Sequence, residues 1–287
     1  MPVAENQPQT LPELPYAAAS GDVRAIYDAI AAALGVRLVN LVYRHLATVP
    51  GCLEWAWTTV GADLLAGRFA ERAAPLAALV IREGADAGAP ISLAACGLSA
   101  AEAEAAIRTV DAYNRANPMN ALSLRVVARA LAAGRAAGPF RGPDIRHPER
   151  DASALVELLP IAPLNGLSGA TSERLLLLAR QAAGPETRIV PSLFRHFTPW
   201  PMLLAEISDR LPPLARADVL GPLAARVSEE ASRIGDAMFD ALPPPGPGAV
   251  LPPAEARSAL AETVAAFPPA ICRMIVVGAM LRSILRP

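Results

Sequence analysis

Apolar residues recur at helical spacing along most of the chain, and no stretch alternates apolar and polar residues at a period of two. Between positions 23 and 34 the apolar residues follow the i, i+3, i+4 rule, and Asp22 is placed to cap the predicted helix. Ser99 and Glu102 have the spacing of a capping box ahead of another apolar stripe. The pattern predicts an all-α protein.

Glycine and proline residues interrupt this helical pattern. A helix is predicted over residues 168–183, entered at Thr171-Ser172 and stopped by Gly184-Pro185. Two stretches rich in glycine and proline, residues 134–148 and 242–253, are expected to be loops because proline lacks the backbone N–H and disrupts helix interiors. The first of these loops lies near the midpoint of the chain, which suggests an internal repeat.

The two halves of the chain do resemble each other in sequence. Val39–Leu53 aligns with Val190–Leu204 at a constant offset of 151 residues, so that the Arg-His pair at 44–45 matches the pair at 195–196. Two equivalent halves are expected to pack around a pseudo-two-fold axis, with a ligand pocket between them. The predicted organisation is an N-terminal arm (1–18), a first helical repeat (19–134), a linker (135–157) and a second helical repeat (158–287).

Composition and charge narrow the choice of partners. All 26 basic residues are arginine, they are balanced by 27 acidic residues, and the net charge is −1. No nucleic-acid partner is expected, because phosphate binding depends on clustered cations that release counterions. The longest apolar run near the C-terminus, residues 274–281, is far shorter than the roughly 20 residues of a membrane span, so no membrane partner is expected either.

The cysteines and the N-terminus indicate a cytoplasmic protein. Cys52, Cys96 and Cys272 are far apart, odd in number and outside any CxxC arrangement, which favours free thiols over disulfides or a structural zinc site. The first 16 residues lack the basic and apolar regions of a signal peptide. The sequence does not decide whether the protein forms a homodimer.

Several local strings match one family from about Leu11 to the end of the chain. They are Tyr27-Asp28, LATVPGCL at 46–53 with Ala56-Trp57, YNRANP at 113–118, and Leu158-Leu159-Pro160. In these strings the chain resembles the group I 2-haloacid dehalogenases. The resemblance implies an all-helical pseudo-dimer around a buried pocket. It also implies that an aspartate near the start of the second repeat activates the water that displaces halide from C2 of a 2-haloalkanoate, with no ester intermediate, metal or cofactor.

The sequence departs from the family pattern at the position of that aspartate. The position falls on Leu193, and no Asp or Glu lies between Glu186 and Glu206. Because leucine cannot accept a proton, the catalytic base is expected to be changed or lost. The resemblance places the substrate pocket at Leu38, Asn40, Leu41, Asn117, Asn120, Ser192, Leu193, Phe267, Ala270, Ile271 and Met274.

His45 and His196 are the candidate replacement bases, because they occupy equivalent positions in the two repeats. His196 follows Leu193 by three residues, so the two side chains point to nearly the same side of a helix. A neutral imidazole there is able to accept a proton, with Arg44 or Arg195 binding an anionic substrate. The alternative is that both Arg-His pairs make only capping and packing contacts. A metal site is not expected, since the two histidines have no apparent third ligand.

Three functions stay open at this point. The first is a cofactor-independent hydrolase of a small carboxylate such as a 2-haloacid, with His196 or His45 as the base. The second is a non-catalytic protein that kept the pocket and binds a small organic acid. The third is a scaffold adapted to another ligand or cofactor held by the two histidines. A fold alone does not decide among them.

Overall fold

The computed structural model describes residues 8–82, 89–138, 142, 158–185 and 187–285. These residues form helices joined by loops and by two isolated bridges, with no β-strand among them. The prediction of an all-α protein is confirmed. Most of the predicted linker, residues 139–141 and 143–157, lies outside the described part of the chain.

The described helices fall into two series of five. The first half contains α1 (Gly21–Leu34), α2 (Leu41–Leu46), α3 (Cys52–Leu65), α4 (Arg68–Arg82) and α5 (Ala100–Ala132). The second half contains α6 (Gly169–Ala183), α7 (Ser192–Arg195), α8 (Pro201–Leu214), α9 (Ala217–Asp240) and α10 (Ala254–Ile284). Each series has a very short second helix and ends on its longest one, of 33 residues in α5 and 31 in α10. This order is what an internal repeat predicts; the pseudo-two-fold axis itself stays a prediction.

Helix starts follow the predicted signals at some positions and differ at others. Ser99 and Glu102 form the predicted capping box at the start of α5. The prediction that Asp22 caps α1 is wrong, because the helix already begins at Gly21, and Ser20 is its N-cap residue. The predicted entry of α6 at Thr171-Ser172 is also too late, since Ser168 accepts the capping hydrogen bond from the backbone N–H of Thr171.

The two longest helices form the centre of the molecule. α5 and α10 make the most extensive helix contact of the described chain, and each also packs against helices of the other half. α2 of the first half contacts α10, and α7 of the second half contacts α5. The short helices are therefore held at the boundary between the halves.

α10 is by length and composition apolar enough to cross a membrane, which the eight-residue apolar run near its end did not indicate. Half of its most apolar window is buried inside the protein, where the helix packs against α5, α9 and α6. The core helix of a soluble protein has the same properties, so one such helix is weak grounds for a membrane span. The absence of a membrane partner stays a prediction.

Two further sequence predictions can be checked in the fold. Cys52, Cys96 and Cys272 are free and buried, as the spacing of the cysteines indicates. The stretch 242–253 is a loop without helix, and Val250 exchanges two backbone hydrogen bonds with Ala137, at 2.8 and 2.9 Å. This pairing ties the loop before α10 to the end of the first half.

Candidate ligand-binding site

A cavity of about 280 Å³ lies between the two halves of the molecule. Its wall combines the N-terminal arm, α2 and α5 from the first half with the end of α6, the segment before α7, the start of α7 and the middle of α10 from the second half. The lining residues are Leu11, Asn40, Leu41, Val42, Tyr113, Asn117, Asn120, Ala183, Thr187, Ile189, Pro191, Ser192, Leu193, Ala266, Phe267, Ala270, Ile271 and Met274.

Ten of the eleven residues that the resemblance placed in a pocket line this cavity. They are Asn40, Leu41, Asn117, Asn120, Ser192, Leu193, Phe267, Ala270, Ile271 and Met274. Leu38 is buried but is not part of the cavity wall. The structure thus brings these residues together from four separate segments of the chain, while their role in binding a substrate stays a prediction.

The polar part of the wall consists mainly of buried amides and hydroxyls. Asn40 and Asn120 are buried, and the Oδ1 atom of Asn40 and both polar side-chain atoms of Asn120 make no hydrogen bond within the protein. Asn40 also makes no capping bond at the start of α2, although it is the N-cap residue. Because buried polar groups are normally hydrogen-bonded, these atoms are available to a polar group inside the cavity.

Two lining hydroxyls connect the cavity to charged or titratable groups behind its wall. The hydroxyl of Tyr113 lies 3.1 Å from Nε2 of His196, and the Nη2 atom of Arg44 donates to Oγ of Ser192 at 3.2 Å. Neither His196 nor Arg44 itself lines the cavity. Tyr113 and Ser192 therefore link the cavity to these two groups.

Burial is the main cause of the shifted pKa values of His196 and Tyr113. His196 is 1% exposed, and burial lowers its pKa to about 4, although the backbone of Leu159 and Pro160 acts in the opposite direction. The Nδ1 atom forms no hydrogen bond of normal geometry. Burial also raises the pKa of Tyr113, which Arg44 partly opposes. At neutral pH the ring of His196 is therefore neutral and the phenol keeps its proton.

His45, the repeat equivalent of His196, lies outside the cavity wall. Its Nδ1 atom bonds the carbonyl oxygen of Pro12 at 2.8 Å, and its ring contacts the ring of Phe267, with the centroids 5.8 Å apart. Phe267 itself lines the cavity. The two histidines are thus in different surroundings, and the structure does not bring them together at one site.

Arg44 and Arg195, the other matched pair, meet a carboxylate from the N-terminal arm. Nη2 of Arg44 lies 3.0 Å from Oε2 of Glu13, and Nη1 of Arg195 lies 3.8 Å from Oε1. Nε of Arg195 donates to the carbonyl oxygen of Ala162 at 2.9 Å. Burial lowers the pKa of Arg195, which Glu13 partly opposes.

No Asp, Glu, Arg or His is among the described residues of the cavity wall. Leu193, where the resemblance predicts the family's aspartate position, is fully buried and lines the cavity. Within the described residues no group of three or more His, Cys, Asp and Glu side chains is placed to hold a metal ion. The cavity can bind and orient a small molecule, but its own wall supplies no carboxylate base.

The sequence interpretation missed Glu13 and eight residues of the cavity wall. The eight are Leu11, Val42, Tyr113, Ala183, Thr187, Ile189, Pro191 and Ala266. Leu11 and Glu13 belong to the arm, for which the sequence predicts no function, yet Leu11 lines the cavity and Glu13 contacts both arginines. One signal was available: an acidic residue between two leucines and two prolines, Leu11-Pro-Glu-Leu-Pro15, is unusual for a solvated terminus. Tyr113 belongs to the string at 113–118 that carries the family resemblance, but the sequence predicts no role for its hydroxyl.

Comparison with known proteins identifies solved structures that have the same fold. No protein-family model matches the chain, and no curated protein matches it in sequence. Among solved structures, a D-2-haloacid dehalogenase mutant in complex with D-2-CPA has a TM-score of 0.73 at 15% identity, with 98% of each chain covered.

Two more solved structures give the same result. A D-2-haloacid dehalogenase mutant has a TM-score of 0.74 at 14% identity, with 98% of each chain covered. A D-2-haloacid dehalogenase in complex with L-LA has a TM-score of 0.73 at 15% identity, covering 98% of this chain and 99% of that one. The chain therefore has the all-helical fold of the D-2-haloacid dehalogenases. At 14–15% sequence identity this similarity shows the fold alone.

Proposed function

We propose that this protein binds a small, largely apolar organic acid, of the 2-haloacid class, in the cavity between its two halves. The observation that carries the proposal is the wall of that cavity, which is apolar except for a few hydroxyls and for buried amides, of which Asn40 and Asn120 have unused hydrogen-bonding atoms. A mostly apolar pocket with a few convergent polar groups is the usual form of a small-molecule site. The volume of about 280 Å³ favours a small ligand.

The charges behind the wall favour an anionic ligand over a cationic one. Arg44, Arg195 and Glu13 together carry a net charge of +1, and Arg44 donates a hydrogen bond directly to the lining hydroxyl of Ser192. Both guanidinium groups are buried, so their field is poorly screened by solvent. A carboxylate near Ser192 and the amides would therefore be stabilised without a cation in the wall itself.

The same wall argues against hydrolysis by the aspartate route. Water activation needs a general base within hydrogen-bond reach of the water, and Leu193 supplies none. We therefore propose binding without dehalogenation as the ordinary behaviour of this protein.

A second candidate function, hydrolysis with a histidine base, is favoured by one observation. Tyr113 lines the cavity and its hydroxyl is in contact with His196. In that reaction water would give a proton to the Tyr113 oxygen while the phenol proton passed to Nε2 of His196, and the resulting hydroxide would displace halide from C2. The pKa of about 4 makes His196 a weak base for this step, so binding is the better-supported function.

The experiment measures binding and halide release together. Purified protein is titrated with each enantiomer of 2-chloropropionate by calorimetry, and chloride release is followed by ion chromatography. We expect saturable binding by the wild type without chloride release above the uncatalysed rate. Leu193→Asp should release chloride because it returns a carboxylate to the cavity, whereas Leu193→Asn, of the same shape but without a base, should not.

The two functions are separated by the outcomes. Absence of binding by the folded wild type would contradict the proposal. Chloride release by the wild type that is lost in His196→Gln would instead establish the histidine-based hydrolase.

A further inference from the structure

The N-terminal arm bridges the two halves of the molecule next to the cavity. Gln9 exchanges two backbone hydrogen bonds with the second half, to Arg188 at 2.7 Å and from Val190 at 3.0 Å. The backbone N–H of Leu14 donates to the carbonyl oxygen of Arg44 in the first half at 2.9 Å. The arm is therefore held at both ends of the segment that contains Glu13.

Glu13 is placed between two arginines that occupy equivalent positions of the two halves. The side chains of Arg44 and Arg195 are each 9% exposed, and that of Glu13 is 17% exposed. The three side chains form a buried group in which two positive charges share one negative charge. The match is incomplete, because Nε of Arg44 has no hydrogen-bond partner and Arg195 lies 3.8 Å from the carboxylate.

This group acts on the cavity through a direct link. Arg44 holds the hydroxyl of Ser192, which is part of the cavity wall, while Leu11 of the same arm forms another part of that wall. A buried charge behind an apolar wall changes the electrostatic potential inside the cavity, because the effective permittivity of the protein interior is far below that of water. The charge of Glu13 therefore reaches the space where a ligand would lie.

We infer that Glu13 is a specificity-determining residue, which sets the preference of the cavity for charged over neutral ligands by offsetting one of the two buried arginines. This inference rests on the proposed function, since it concerns the ligand of the same cavity. With Glu13 present the group carries a net charge of +1, which suits a monoanion. Glu13 does not touch the ligand and acts only through the potential and through Arg44.

A series of charge variants tests the inference. The ratio of the affinities for 2-chloropropionate and for its neutral amide, 2-chloropropionamide, is measured by calorimetry in each protein. Arg195→Gln lowers the net charge of the group to zero, the wild type and the double variant Glu13→Gln/Arg195→Gln have +1, and Glu13→Gln has +2. Because the two ligands have the same shape, general damage to the cavity cancels in the ratio.

The ratio is expected to rise with the charge of the group. A unit charge about 10 Å from a ligand at an effective permittivity of about 20 changes its affinity on the order of tenfold. Glu13→Gln should therefore raise the ratio roughly tenfold and Arg195→Gln should lower it by a similar factor. The double variant should return it to near the wild-type value.

Other results overturn the inference. An unchanged ratio in both single variants would show that Glu13 has only a structural role. A raised ratio in Glu13→Gln that the double variant does not reverse would show that displacement of the arm, not charge, changes the site. If Glu13→Gln does not fold, Arg195→Gln still tests the direction of the effect.

The controls keep this inference apart from the proposed function. Glu206→Gln removes one carboxylate from a half-exposed pair with Arg210 in α8, and it should leave the ratio unchanged. If the wild type binds neither ligand, the proposed function fails. If the wild type binds but the ratio does not follow the charge, only the role of Glu13 fails.

Discussion

At the scale of single residues, burial decides what His196 can do. The ring is almost completely buried, its Nε2 atom contacts the hydroxyl of Tyr113, and its Nδ1 atom makes no hydrogen bond of normal geometry. Protonation would place a charge in this apolar region beside Arg44 and Arg195, which disfavour it further. His196 is thus better suited to orient Tyr113 than to collect protons near neutral pH.

The protonation of His196 predicts a pH dependence of stability. Its ordinary pKa is 6.5, which we take for the unfolded chain, and in the folded protein its pKa is about 4. Between these values the unfolded state binds more protons, so the free energy of unfolding falls as the pH falls from about 6.5 to 4. His196→Gln should remove up to about 3 kcal/mol of this loss, because one pKa unit corresponds to about 1.4 kcal/mol.

The measurement is urea unfolding of wild type and His196→Gln at several pH values between 7 and 4.5. The free energy of unfolding of the variant is subtracted from that of the wild type at each pH. The readout is how this difference changes with pH, so a loss of stability that is the same at every pH does not affect it. Parallel curves over this range would show that the ring is protonated in the folded protein as easily as in the unfolded chain.

At the scale of elements, the ends of the helices differ in how they are capped. Ser99 and Glu102 exchange hydrogen bonds at the start of α5, whereas Ser20 is the N-cap residue of α1 without a side-chain capping bond. The two serines therefore form a matched pair, with the same residue type at the same helical position. They separate the contribution of the capping bond from the loss of a hydroxyl group.

Ser99→Ala should lower the free energy of unfolding by about 1 kcal/mol, because it leaves a backbone N–H of the first turn without its partner. Ser20→Ala should change it by less than about 0.5 kcal/mol. Denaturant unfolding of both variants at neutral pH checks this. Equal effects of the two substitutions would mean that the capping box of α5 does not contribute to stability.

Much of the helical architecture was predictable from the sequence because it depends on local patterns. The apolar stripe of α1, the capping box of α5 and the proline-rich loop at 242–253 each carry their signal within a few residues. Helix starts were less certain. At α6 the sequence offers Ser168, Thr171 and Ser172 as caps, and only the geometry shows that Ser168 is used.

The candidate site was predictable only in part. The resemblance to a known family indicated ten lining residues from distant segments, which no local pattern joins. It gave no indication of Glu13, because the contact of this residue with Arg44 and Arg195 depends on the path of the arm across both halves. The position of His196 behind Tyr113 is likewise a matter of tertiary packing, since helical spacing from Leu193 predicted a ring that faces the cavity.

At the scale of the whole molecule, the two halves are joined along α5 and α10. Near the cavity these helices approach closely at Gly278, whose carbonyl oxygen accepts a hydrogen bond from Nδ2 of Asn114 at 3.1 Å. A Cβ atom at position 278 would collide with Oδ1 of Asn114. A larger residue at this position would therefore force the Asn114 side chain to move, whereas the backbone conformation of Gly278 does not itself require glycine.

Gly278→Ala should lower the free energy of unfolding by about 1–3 kcal/mol, because Asn114 must move and its bond across the halves is strained or lost. Gly221→Ala, inside α9 and with open space around the position, is the matched control. It should be neutral or stabilising by up to about 1 kcal/mol, since alanine is the better helix former. Thermal unfolding followed by circular dichroism distinguishes these effects, and equal melting temperatures for the two variants would contradict the close approach.

The path of the N-terminal arm has a consequence for how proteins of this shape diversify. A version of the chain that started at residue 19 would still contain the residues of α1 to α10, yet its cavity wall would lack Leu11 and both buried arginines would lack their acidic neighbour. If the proposed function holds, substitutions at Leu11 and Glu13 would thus alter ligand choice while the helical scaffold stayed the same.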